Sequence, residues 1–223
     1  MKKAIVLMLV LVFMGSAAFG LEMTFGGGIM YNHSVTKADS TFPLFINDYQ
    51  YYYDNVAFSM PRNGFGGFVF FGPNRYVELN LGFLYKSLGD ITETVDGETQ
   101  TEDVSQYISG TAALQLGAYF KYPFPVSDTV VIFPTAGMDL EFSLGGDNNL
   151  MLKWWHDIWF RGGVGADIFF TERLFLRSHV MYGIAVPVGG GLTDTVTSVF
   201  DEASIDFKYS HGLLIKVGIG FMF

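Results

Sequence analysis

The chain has 223 residues, half of them hydrophobic and 17% aromatic, with 27 glycines, no cysteine and a formal charge of −9. That length suits one domain. The lack of cysteine excludes a disulfide frame, a thiolate metal site, a cysteine nucleophile and a cysteine-linked lipid anchor, and the acidity argues against nucleic acid as a partner.

Residues 1–20 read as a secretory signal. Lys2 and Lys3 precede an apolar core, Ala4 to Met14, and Ser16, Ala17, Ala18 and Gly20 supply small residues for cleavage before Leu21. Removing the two lysines takes the formal charge to −11. Beyond this stretch no apolar run reaches about 18 residues, so no helical membrane span is expected. Residues 21–223 are then one domain.

Apolar residues recur at every second position through most of that domain, the period of a strand with two unlike faces. The first strand has Phe25, Ile29 and Tyr31 on one face and Thr24, Gly26, Gly28, Met30 and Asn32 on the other. From 33 to 62 the alternation fails, and Pro43, Pro61 and the tyrosine run 49–53 suggest a long loop, with a hairpin extending the barrel as a variant. The second strand, 64–72, ends in a turn at Pro73-Asn74. The third, 76–86, is the clearest, with Val77, Leu79, Leu81, Phe83 and Tyr85 opposite Glu78, Asn80, Gly82 and Lys86.

Residues 87–106 form the most acidic segment, with Asp90, Glu93, Asp96, Glu98, Glu102 and Asp103 and no Lys or Arg. These carboxylates lack the spacing of a calcium loop, so a solvated surface loop is expected, turning at Asp96-Gly97. The remaining strands are expected at 107–121, 130–143, 157–170, 174–186 and from about 207 to the end. Short turns lie at 122–129 and 171–173, and longer loops at 145–156 and 187–206.

Eight strands of about 9–13 residues, with long and short connections alternating, describe a closed antiparallel up-and-down transmembrane β-barrel. Ten strands, with an extra hairpin within 33–62, are the alternative. Lipid offers no hydrogen bonds, so every strand edge must be paired by closure.

The final stretch, LLIKVGIGFMF, places Ile215, Val217, Ile219, Phe221 and Phe223 on one face and ends on an aromatic residue. It resembles the C-terminal signature of bacterial outer-membrane β-barrels. As a whole the chain resembles the small barrels of the OmpA-barrel, OmpX and OmpW type. That resemblance implies residence in the cell outer membrane, contact with its lipid and recognition of the signature by the barrel-assembly machinery.

The faces opposite the apolar ones carry Glu78, Lys86, Asp139, Glu141, Arg161, Asp167, Arg177, His179 and Lys216. Counting back from the turns places Asp167 against Arg177 and brings Asp139 or Glu141 within reach of Arg161, with Lys216 joining Asp167, Arg177 and His179. Such a network either plugs a barrel just wide enough to be filled by its own side chains or rearranges to form a narrow conduit. The plug is favoured. Neither a catalytic set nor a metal site is expected. Ser178 and His179 are adjacent, so they point to opposite faces, and Ser210 and His211 do likewise. No phosphate-binding, HExxH or EF-hand pattern occurs, and no cofactor is implied. The expected role is non-enzymatic, with long acidic loops contacting an extracellular ligand. A channel for small or hydrophobic solutes is the alternative, and a membrane-embedded lipid-modifying enzyme is the third.

Overall fold

Period-2 patterning becomes a single β-sheet closed on itself. The computed structural model describes residues 22–46, 49–95, 98–102, 110–144, 156–187 and 204–223. The sequence-predicted signal at 1–20 and the carboxylates of Asp96 and Asp103 lie outside them.

Eleven strands are formed: β1 (Thr24–Ile46), β2 (Tyr49–Gly72), β3 (Val77–Leu88), β4 (Ile91–Val95), β5 (Glu98–Glu102), β6 (Thr111–Lys121), β7 (Phe124–Ser127), β8 (Val130–Leu144), β9 (His156–Phe169), β10 (Leu174–Pro187) and β11 (Ser204–Met222). Eight of them make the barrel wall. Each pairs antiparallel with the next in the order β1-β2-β3-β6-β8-β9-β10-β11, and β11 returns to β1. The closing seam is long, running from Thr24 opposite Met222 to Thr41 opposite Ser204, with one irregularity at Lys37/Ala38. The wall is therefore the expected eight-stranded barrel, and among the described residues no further pair of strands enters the ring.

Three sequence expectations are corrected. Residues 33–46 and 49–62 are strand, the hairpin variant and not the loop: β1 and β2 stay paired out to Ile46 and Tyr49. At 23 and 24 residues they are about twice the 9–11 that cross a bilayer. Apolar alternation fails there because those parts of the strands project beyond the lipid and have no greasy face to present. The acidic segment is not simply a loop either. β4 and β5 form a hairpin whose first strand pairs with β2, setting Phe58 opposite Glu93. Finally, 122–129 is not a plain turn, because β7 folds back on β8.

The short turns are fixed by their own side chains. Asn74 Oδ1 accepts from the Tyr76 and Val77 amides at 2.8 and 2.9 Å, and Thr171 Oγ1 accepts from the Leu174 amide at 2.9 Å. Asn and Thr suit such turns because their short side chains reach backbone two or three residues on.

Alternation decides what faces where. On β3, Leu79, Leu81, Phe83 and Tyr85 are exposed, while Glu78, Asn80, Leu84 and Lys86 are buried. On β10, Val180, Tyr182 and Ile184 are exposed and Arg177, His179 and Met181 buried. The protein is thus greasy outside and charged inside, the inverse of a water-soluble fold. No helix among the described residues is long and apolar enough to cross a membrane. The crossing is made by strands. Polar groups resume on the outer face at Asn63, which accepts from Tyr31 Oη at 2.8 Å, and at His211, bonded to Tyr182 Oη at 2.8 Å. At the opposite end, Tyr76, Phe120, Tyr122 and Phe124 pack side by side with centroids 4.9–6.3 Å apart. These form the lower aromatic girdle.

Candidate functional site: the charged lumen

Three tiers of ionic groups fill the barrel from the short-turn end upward. In the lowest, Arg177 on β10 donates from Nε and Nη2 to both oxygens of Asp167 on β9, at 2.7 and 2.6 Å. These residues face each other directly in the strand register. The third donor of Arg177, Nη1, reaches Glu78 on β3, across the barrel, at 2.8 Å. Glu78 also gathers Lys121 at 3.5 Å and His179 Nε2 at 3.4 Å. Aromatic rings surround this knot. The Arg177 guanidinium carbon lies 4.6 and 4.7 Å from the Phe70 and Phe175 ring centres.

The middle tier is a bridge across three strands. Tyr119 donates to Asp139 at 2.5 Å, and Arg161 Nε donates to the other Asp139 oxygen at 2.7 Å. Arg161 lies over the indole of Trp159, 4.1 Å from its centre. Lys216 sits against the rings of Tyr119 and Phe68 at 4.7 and 5.5 Å. In the upper tier Lys86 is paired with Glu141. Arg62 reaches Asp157 at 3.5 Å and donates to Thr36, which is bonded to Ser210 at 2.8 Å.

Every charge predicted to face inward is buried in the lumen. Asp167 meets Arg177 as the turn arithmetic implies, and Arg161 takes Asp139 while Glu141 takes Lys86. Lys216 differs from expectation. It stands opposite His179 in the register, yet its ammonium contacts the hydroxyl of Tyr119 at 3.5 Å rather than Asp167. Its positive charge rests mainly on aromatic faces, which attract cations.

Sequence reasoning missed Lys121, Tyr119, Asp157 and Arg62. The first three share parity with inward neighbours, Gln115 and Gly117 for one strand and Trp159 and Arg161 for the other, so alternation alone could have found them. Arg62 was hidden because its segment was read as a loop. The C-terminal residues Val217, Ile219, Phe221 and Phe223 are exposed on the outer wall and Ile215 is half-buried. In the acidic segment Asp90 is exposed and Glu93 half-buried, while Glu98 and Glu102 lie on β5. Among the described residues no cluster of three metal-ligating side chains occurs.

The lower two tiers bring together residues from β3, β6, β8, β9, β10 and β11. Arg177 and His179 reach Glu78 across the lumen, and Lys216 reaches Tyr119 across it, while the contacts of Asp139 join neighbouring wall strands. Small residues make the room. A Cβ on Gly220 would lie 2.3 Å from the Phe175 ring and 2.7 Å from Phe70, and one on Gly137 would lie 2.7 Å from Tyr119. Glycine on one strand thus admits an aromatic ring from another.

A closed antiparallel barrel of even strand number, apolar outside and charged inside, is the architecture of outer-membrane barrels. The chain is accordingly an integral outer-membrane protein, and barrels of that kind turn their short connections to the periplasm.

No protein-family model matches the chain, and no curated protein matches it. Among solved structures it is similar to the outer membrane protein OprG from Pseudomonas aeruginosa, at 10% identity and a TM-score of 0.45 over 91% of this chain and 95% of that one. It is also similar to the outer membrane protein AlkL, at 12% identity and a TM-score of 0.40 over 91% and 90% of the two chains. The N-terminal β-barrel domain of Pseudomonas aeruginosa OprF gives 13% identity and a TM-score of 0.36 over 89% and 99%.

Proposed function

We propose that this protein is a non-conducting, non-enzymatic membrane platform that presents an acidic extracellular sheet to ligands outside the cell. The observation that carries this reading is the cross-lumen bridging of Glu78 by Arg177 and His179, with Lys121 from the neighbouring strand on the same carboxylate, beneath the Tyr119–Asp139–Arg161 bridge. A barrel stapled across its bore has little use for that bore. Its long hairpins are what remain to meet a partner.

Two further facts support the reading. β1 and β2 project beyond the membrane and carry β4 and β5 on their edge, so Glu93, Glu98 and Glu102 sit on a paired sheet. Ordering before contact lowers the entropy cost of binding. And neither Ser–His neighbour pair shares a face: His179 is in the lumen with Ser178 outward, while Ser210 is inside and His211 outside.

The test uses whole cells carrying the wild type or a variant lacking residues 91–102, with surfaces coated by poly-lysine or by extracellular-matrix protein as probes. The reading expects wild-type cells to be retained and the deletion to lower retention, with outer-membrane levels unchanged. Equal retention by both would contradict it.

A further inference from the structure

The periplasmic mouth holds a cavity of about 220 Å³ that the plug does not use. Its floor is the lowest ionic tier, and its walls are apolar, contributed by Phe133, Phe169, Val131 and Met222 together with Pro123 and Pro125. For scale, a dry cavity of about 150 Å³ accepts benzene. This one has room for a ring and one polar substituent.

Its polar atoms say which substituent. Thr24 lines the cavity and is buried, yet its hydroxyl has no partner among the described residues. Lys121 also lines it and is 3% exposed. Its ammonium has three donors and rests on the Phe133 face at 5.2 Å, but its hydrogen bonding is one long contact, 3.5 Å to Glu78 Oε2, an oxygen that Arg177 already holds at 2.8 Å. Asp167, the carboxylate on the same wall, has both oxygens taken by Arg177. The second lining acid, Glu22, is exposed at the rim. Buried hydrogen-bonding capacity left unused is costly. Here the under-used groups are an ammonium and a hydroxyl facing an aromatic slot.

A way in exists. Pro125, Val131, Phe169 and Met222 also line an open trough of about 640 Å³ between the β7–β8 turn, at Asp128 and Thr129, and the β9–β10 turn, at Thr171 and Glu172. The trough leads from the periplasmic surface to the cavity.

We infer that the periplasmic mouth is a binding site for a small apolar carboxylate, its anionic group on Lys121 and Thr24 and its hydrocarbon against Phe133 and Phe169. The site lies on the opposite side of the plug from the acidic sheet and is independent of it.

The experiment is a titration of the protein in lipid nanodiscs, followed by NMR shifts of methyl groups around the cavity. The probes are benzoate, benzylammonium and toluene. Benzoate should saturate, with benzylammonium and toluene at least about tenfold weaker, a difference of about 1.4 kcal/mol. Lys121→Met should bring benzoate down to the toluene level. Because that variant disturbs the floor, Val131→Trp serves as the second: it fills the mouth while leaving every charged side chain in place and should abolish binding of all three probes. Retained heat-modifiable migration certifies that each variant is folded. Equal affinity for benzoate and benzylammonium in the wild type, or undiminished benzoate binding in folded Val131→Trp, would overturn the assignment.

Discussion

Arg177 grips Asp167 through two parallel hydrogen bonds of 2.6 and 2.7 Å, and does so from the register position directly opposite it. The fork of a guanidinium matches the two oxygens of a carboxylate. Strand pairing alone brings the two side chains together, so the pair forms wherever the barrel closes correctly. Arg177 then turns its third nitrogen to Glu78.

Removing Arg177 should therefore cost more than removing one acid. Arg177→Met leaves Asp167 without a partner and Glu78 with only Lys121 and His179, and an uncompensated buried charge costs about 3–5 kcal/mol. Asp167→Asn leaves Arg177 still tied to Glu78 and should cost less. The double variant should be milder than the sum of the two. Denaturant unfolding of the barrel in lipid vesicles gives the three values, and additivity would show that the pair does not couple.

The aromatic packing predicts a repairable defect. Gly220→Val drives a side chain into the Phe175 and Phe70 rings. Overpacking of this kind costs about 1–3 kcal/mol. Trimming Phe175 to Leu in the same chain should recover much of the loss. Failure of the second change to help would place the strain in the β1–β11 seam instead.

Lipid contact is predicted position by position. Val180 is exposed on the wall, midway along β10, and Val126 is exposed on the β7 hairpin outside the ring. Val180→Arg should cost about 2–4 kcal/mol, as for a charge at the bilayer midplane. Val126→Arg should be close to neutral. Unfolding in vesicles separates them, and equal costs would argue against the membrane level assigned to β10.

Strand number, facing and the main ion pair were legible in the sequence because they rest on one variable, the parity of positions 2 apart. Glu78 and Lys86 could be placed inside from β3 alone. The extent of β1 and β2 was not legible. Beyond Asn32 and before Gly64 the hairpin leaves the lipid, and the apolar signal that marks a wall strand stops, although the hydrogen bonding does not. The position of Lys216 was also beyond reach. Register puts it beside His179, but the rings of Tyr119 and Phe68 that draw it away come from strands distant in sequence.

Deletion of Phe223 is predicted to impair assembly more than stability. Its amide donates to Met23 O at 2.9 Å, and its ring meets Phe221 edge-on at 5.2 Å, contacts at the rim of an otherwise complete barrel. Outer-membrane levels should fall, while protein refolded in detergent should unfold near the wild-type denaturant concentration. Normal outer-membrane levels of this variant would remove the proposed role of the terminal signature in recognition by the assembly machinery.

The most direct measurement of whether the lumen is a plug is single-channel recording in planar bilayers, made on the wild type and on Arg161→Ala. The cross-lumen ties of Glu78 to Arg177 and of Tyr119 to Lys216 predict no unitary steps in either, because the lower tier stays closed when Arg161 is removed from the middle one. Steady unitary openings in the wild type would contradict the account, and openings confined to Arg161→Ala would show that the lower tier does not seal the bore by itself.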